Sequence, residues 1–227
     1  MSKFVCYTAI LGGFPNKLYQ PPESLLEDSH THFVAFVDRP LGEGVNIPGR
    51  VRNGWSLDRV EPSDDPRRTA RLLKVLPHRH MRSTDYSLWV DGCLTPLTPI
   101  WELVDRFLNN HDICVFEHCE RGCVYKEAEA CIRLKKDNPA RIRAQVDRYR
   151  REGYPYNNGL GETTAVLRRH TKAMEDFNEA WWEEIRTGSC RDQLSFNYAH
   201  WKLGTDGYAT FEGTRIKSPD FKWRPHR

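Results

Sequence analysis

Tyr86-Ser-Leu-Trp-Val-Asp91-Gly92 reads as a short apolar run that leads straight into a carboxylate and a glycine. Near-continuous apolar character over so few residues predicts a strand covered on both faces, the pattern of a parallel sheet. The carboxylate at its exit needs a partner, because desolvating an isolated charge is costly. A hard cation such as Mg²⁺ or Mn²⁺ bridging phosphates is one solution. A carboxylate capping the following turn is the other.

Working outward, Phe4 to Leu11 and His32 to Val37 repeat the pattern, the first closing on Gly12-Gly13 and the second on Asp38. Further strands are expected at 55–60, 112–116 and 162–168. Asp64-Asp65-Pro66 is an acidic cap with proline in the first turn, so a helix should follow to Leu76, where Pro77 stops it. Helices are also expected at 99–108, 124–135, 138–151, 172–186 and 191–199. Residues 42–54 form a turn-rich connection. Alternation of strands with helices predicts an α/β fold: one Rossmann-like domain with a mainly parallel central sheet and helices on both faces.

The bulk numbers are compatible with this. The chain has 227 residues, 39% hydrophobic and 29% charged, with 7 Trp, 9 Tyr and 10 Phe, which excludes a disordered polymer. No apolar run is long enough to span a bilayer. The N-terminal apolar stretch ends at Gly12-Gly13 without a cleavage-site pattern, so it reads as the first strand and the expected location is cytoplasmic. Seven cysteines in such a chain are expected to be reduced and mostly buried. A structural zinc at Cys114, Cys119, Cys123 and Cys131 is the sharper reading, but no C-x-x-C pair supports it. Net charge is only +3, yet eight Lys or Arg and two acids lie between Arg133 and Arg151. Such a run is either a solvated helix face or a surface for a phosphate-rich partner such as DNA.

Ligands of open α/β sheets lie beyond the carboxyl ends of the strands, which directs attention to Thr8 to Gly13, Asp38, Asp91 and His118. Absence of G-x-G-x-x-G, P-loop and G-x-S-x-G patterns weighs against dinucleotide oxidoreductases, NTPases and α/β hydrolases. Arg71 and Lys74 stand three apart on one helix, able to face a diphosphate together or to form an exposed basic face. Asp192 either caps a helix or, with Gln193, meets a sugar ring. Trp181 and Trp182 are core indoles or an aromatic platform.

Together these pieces resemble the TOD/MUCI-type hexosyltransferase-like family. The matching segments are Tyr7-Thr-Ala-Ile-Leu-Gly-Gly13, Phe36-Val-Asp38, Asp65-Pro66 with Arg71 and Lys74, Leu76-Pro-His78 and Trp89-Val-Asp-Gly92. They continue through His118-x-x-Arg121-x-Cys-x-Tyr125-x-Glu127-Ala, Gly159-Leu-x-Glu162, Arg168-Arg-His170, Trp181-Trp182 and Arg191-Asp-Gln-Leu-Ser-Phe196. They run in order over nearly the whole chain.

The resemblance implies a GT-A-like glycosyltransferase moving a hexose from a nucleoside diphosphate sugar, with a UDP-hexose favoured, to an acceptor hydroxyl. It assigns residues 1–95 to the nucleotide-sugar half, with Thr8, Ala9, Gly12, Gly13, Asp38, Arg71, Lys74, Asp91 and Gly92 at the donor. Residues 96–227 become the acceptor and catalytic half, with Asp192, Gln193 and Glu162 as the reacting groups. His118, Arg121, Trp182 and Arg191 are then acceptor or phosphate contacts. A metal, Mn²⁺ or Mg²⁺, is expected at Asp91 with His226, although Asp91-Gly92-Cys93 lacks the second acid of the usual Asp-x-Asp. Asn157-Asn158-Gly159 and Asp192-Gln193 resemble motifs of glycogenin-like retaining enzymes, which favours retention over inversion. If the reaction inverts, Asp192 or Glu162 must act as general base. The expected acceptor is a saccharide. A hydroxymethylated DNA base and a non-catalytic carbohydrate-binding module are the alternatives, and no membrane insertion is expected.

Overall fold

A computed structural model describes residues 2–13, 18–39 and 51–225. Among these residues eight strands form one sheet: β1 (Phe4–Ile10), β2 (Thr31–Val37), β3 (Val51–Arg52), β4 (Trp55–Arg59), β5 (Tyr86–Val90), β7 (Ile113–Glu117), β8 (Gly161–Arg169) and β9 (Ala209–Thr210). Their spatial order is β3-β4-β2-β1-β5-β8-β7-β9. A separate ribbon pairs β6 (Leu94–Pro96) with β10 (Phe221–Trp223). The helices are α1 (Glu23–Leu26), α2 (Pro66–Val75), α3 (Pro77–His80), α4 (Ile100–Phe107), α5 (Val124–Arg133), α6 (Pro139–Arg151), α7 (Lys172–Thr187) and α8 (Gln193–Leu203).

The sequence expectation of a mainly parallel α/β sheet holds. β4, β2, β1 and β5 run side by side in one direction. β8 runs against both β5 and β7, so β7 and its parallel neighbour β9 recover the common direction. β8 therefore begins at the end of the sheet where β5 finishes. The backbone N–H of Asp91 donates to Thr164 O at 2.8 Å, tying the two together.

Strand alternation sends side chains to two cores. Phe4, Cys6 and Ile10 pack with Leu88, Val90 and the α4 residues Ile100, Leu103 and Val104. Val5, Tyr7 and Leu11 face the other way, against Leu73 and Val75 of α2, Phe177 and Trp181 of α7, and Phe196 of α8. Helices thus cover both faces. A third cluster joins α5, α6 and α8 through Tyr125, Ile142, Tyr149 and Tyr198.

Helix starts follow their local chemistry. Asp65 caps α2, accepting from Arg68 N at 3.0 Å, with Pro66 in the first turn. Asn138 caps α6 in the same manner. Pro77 ends α2 as expected and immediately opens the short α3. α8 runs past the expected Ala199 to Leu203, and Gly204 closes it in the left-handed conformation at φ 63°. Most of the 42–54 connection lies outside the described residues, as does His226. All seven cysteines are free and only Cys119 is exposed. Among the described residues no group of three metal-ligating side chains gathers around a point, and no helix is long and apolar enough to cross a membrane.

Candidate functional site

α2 runs along the sheet and delivers Lys74 to the exit of β5. The Lys74 backbone carbonyl, left without an intrahelical partner near the helix end, accepts from Tyr7 OH at 2.7 Å and Arg168 Nη2 at 2.9 Å. Arg168 is fully buried and also donates to Val75 O and Asn178 Oδ1. Burial alone pulls its guanidinium below the ordinary arginine range. Its hydrogen bonds hold the last turn of α2, and with it the root of the lysine.

Held there, the Lys74 ammonium lies between two carboxylates. It is 2.5 Å from Asp192 Oδ2 and 3.6 Å from Asp91 Oδ1, with only 1% of the side chain exposed. Arg71 Nε stands 3.0 Å from Asp192 Oδ1. Thr163 Oγ1 donates to Asp192 Oδ2 at 2.8 Å, and the Trp181 indole donates to the Asp192 carbonyl at 3.0 Å. Burial pushes the Asp192 carboxyl up, but Arg71, Lys74 and Arg191 outweigh it, so the acid sits well below the usual range and stays ionised. Asp192 stands at the N-cap position of α8, yet its side chain makes no cap hydrogen bond. The capping account is thereby replaced by a charge-paired one.

Thr163 reaches this group through an irregularity. Registers shift between Val115 and Phe116, so that Val115 pairs with Val166 while Phe116 pairs with Glu162. Such bulges re-aim side chains. Here Thr163 points to Lys74, while Glu162 turns to the opposite side, where Arg215 Nη1 meets its Oε1 at 2.6 Å. Glu162 is fully buried and its Oε2 has no hydrogen-bond partner.

Asp91 accepts the Trp89 indole N–H at 2.7 Å on Oδ1 and keeps a quarter of its side chain exposed. Gly92 lies against Ile10, whose Cδ1 would sit 3.1 Å from an added Cβ. At the end of β1, Gly12 adopts φ 71° and donates its N–H to Asp38 Oδ2 at 2.8 Å, while Arg39 Nε meets Asp38 Oδ1 at 3.1 Å. Gly13 repeats the left-handed conformation. Asp38 thus shapes the loop expected to hold the nucleotide. Thr8 is buried with its hydroxyl oxygen unpartnered, and Ala9 packs against the α2–α7 core.

The next cluster lies at the carboxyl end of β7. His118 Nδ1 accepts the backbone N–H groups of Glu120 and Arg121, each at 3.2 Å, and its Nε2 lies 3.3 Å from Arg121 Nη2 and 3.6 Å from Glu127 Oε2. Arg121 Nε pairs with Glu127 Oε2 at 2.5 Å. Cys131 donates to Glu127 Oε1 at 3.3 Å and lies beside Arg191, whose Nη2 reaches Gln193 Oε1 at 3.1 Å. A polar belt therefore runs from His118 to Gln193 and on to Asp192. Along the sheet, Asp38, Gly12, Asp91, Glu162 and His118 stand at one end of β2, β1, β5, β8 and β7 in spatial order. Four strand spacings make this row about 19 Å long.

Some expected contacts fall elsewhere. Trp181 is fully buried in the core, and Trp182 is half-buried against the same cluster, so neither indole is a free platform. In the basic run, Arg148 is engaged by Glu184 and Glu152, and Arg150 by Asp147. That leaves less of the α6 charge for a nucleic-acid backbone. Sequence reading missed Tyr7, Thr163, Arg168 and Arg215 as site-forming residues. Arg168 belongs to the family-like segment Arg168-Arg-His170, but only the fold shows that it holds α2.

The described residues do not by themselves make the expected divalent site. Asp91 Oδ1 is already met by an indole N–H and a lysine ammonium. Cys93 is buried, and burial raises its thiol to about 12, so it offers no thiolate and no oxygen.

Paired cations and carboxylates at the carboxyl ends of parallel strands suit a phosphate-bearing ligand, and comparison with known proteins supplies the family. The family model of the TOD1/MUCI70, glycosyltransferase-like domain matches residues 2–212. A probable hexosyltransferase, MUCI70 of Arabidopsis thaliana, is 32% identical over 188 residues, covering 75% of this chain and 32% of that protein. The alkaline ceramidase TOD1 of the same plant is 26% identical over 169 residues, covering 67% of this chain and 37% of its own length. The chain thus spans about a third of the curated relatives it matches. With the family pattern running through nearly every segment that builds this site, the chain belongs to the TOD1/MUCI70 glycosyltransferase-like family.

Proposed function

We propose that the chain is a hexosyltransferase that takes a sugar from a nucleoside diphosphate, with uridine the favoured base, and passes it to a saccharide hydroxyl. One observation carries this reading: Asp192 is ionised and fixed between Arg71 and Lys74, beside Asp91, at the carboxyl end of the sheet. Departure of a diphosphate builds negative charge, and fixed cations stabilise it without reorganising. The Gly12-Gly13 loop, one strand along, and Asp38, two strands along, hold the nucleotide end. His118 and Arg121, on the other side, border the acceptor.

Gln193 is only 8% exposed and is oriented by Arg191, which suits a group that positions the donor sugar near its anomeric carbon. Asp192 then binds donor-sugar hydroxyls. That arrangement favours retention. Under inversion, Glu162 is the base, because its Oε2 is an unengaged acceptor.

The test is turnover of a panel of nucleoside diphosphate sugars with oligosaccharide acceptors, by wild type and Asp192→Asn, with ceramide hydrolysis assayed in parallel. Sugar transfer lost in the variant supports the reading. Ceramide cleavage with no turnover of any nucleotide sugar contradicts it.

A further inference from the structure

We propose that this site handles its diphosphate without a divalent cation, because Lys74 occupies the place where one would neutralise Asp91. The inference rests on the reading of the Asp91 edge as the donor site. A metal there would need Asp91 oxygens free of competing cations and further hard ligands around them. Only Asp91 Oδ2 is clear of them, and among the described residues no group of three metal-ligating side chains gathers to complete a site. Lys74 Nζ faces Asp91 Oδ1 at 3.6 Å, and the Trp89 indole N–H donates to the same oxygen. Where a second acid would follow, Cys93 is buried among apolar side chains of the α4 face.

Charge balance supports the same conclusion. Lys74, Arg71 and Arg191 surround Asp91 and Asp192, three cations against two carboxylates. The surplus is positive before any ligand arrives. Arg191 is the cation with donors to spare: its Nε is buried without a hydrogen-bond partner, while the rest of the guanidinium meets Gln193 through Nη2 and the Cys131 thiol. Arg71 keeps 19% of its side chain exposed, so it too can meet a ligand at the surface of the group. Lys74 itself is the fixed floor, its backbone carbonyl held by Tyr7 and Arg168. A positive centre placed before the reaction begins provides what a metal provides, charge stabilisation that costs no rearrangement.

A purely structural Lys74, one that only ties α2 to α8, makes a different prediction about nucleotides. The experiment is calorimetric titration of uridine diphosphate into the full chain, first stripped with a chelator and then with excess Mn²⁺. The expected result is a dissociation constant that changes by less than about twofold between the two conditions. Arg191→Gln should weaken binding by about tenfold in both, and Mn²⁺ should not restore it. Lys74→Met should do the same. If that variant fails to fold, Arg191→Gln and the wild-type metal series decide alone. A gain of about tenfold or more with Mn²⁺, lost in Asp91→Asn, overturns the inference while leaving the donor reading intact. Unaltered affinity in Arg191→Gln also overturns it. No binding of any nucleoside diphosphate in either condition overturns both.

Discussion

Asp192 shows how a residue changes meaning between sequence and structure. Read locally, it is a helix cap or a sugar ligand. In the fold it is the common partner of Arg71, Lys74 and Thr163, all brought from other elements. Nothing in the spacing reveals that meeting, because long-range pairing depends on how α2 crosses the sheet. Arg71 and Lys74 themselves were legible, since their separation places them on one helical face. Replacing Asp192 by Asn takes the paired carboxylate from Arg71 and leaves the buried Lys74 with only the more distant Asp91. We expect a stability loss of about 3 kcal/mol by urea denaturation, alongside the loss of transfer. Arg168→Met strips its donors from two backbone carbonyls at the end of α2. It should cost about 3 kcal/mol and weaken nucleotide binding through displacement of Lys74. A variant that keeps both wild-type stability and affinity would contradict the positioning role.

Among the elements, β8 departs most from expectation. Its apolar run announced a buried strand at nearly the right residues, but periodicity carries no information on direction. β8 runs antiparallel between β5 and β7, and its start therefore lies beside Asp91 rather than at the opposite end of the sheet. Glu162, Thr163 and Thr164 owe their place in the site to that reversal. The short elements β6, β9 and β10 escaped sequence reading because two or three residues hold too little pattern. Gly161 opens β8 where an added Cβ would lie 2.6 Å from Phe196 Cδ1 and 3.1 Å from Val115 Cγ2. Gly161→Ala should destabilise the protein by about 1–3 kcal/mol, measured by thermal or urea unfolding. No loss would mean that α8 packs less closely on β8 than described.

At the scale of the whole molecule, histidines set the acid limit of stability. His200 is packed among Phe177, Phe196 and Tyr208, and His170 meets Ser87. Burial lowers them from 6.5 to about 3 and about 4. The unfolded chain therefore binds protons below pH 6.5 that the folded chain refuses, so stability falls as pH falls from there toward 4. Each histidine contributes at most about 1.4 kcal/mol per pH unit in that window. Asp192 adds to the loss only below its unfolded value of 3.8. Unfolding free energies between pH 7 and 4 should show this slope, and His200→Gln should reduce it. The central claim, a donor site at the carboxyl end of β5, is tested most directly by a crystal structure with uridine diphosphate bound. The account predicts the diphosphate within hydrogen-bond reach of Arg71 or Arg191, with the nucleoside toward Gly12 and Asp38. A nucleotide in the hollow at the opposite end of the sheet, lined by Lys3, Arg79, Arg82 and His170, would contradict it.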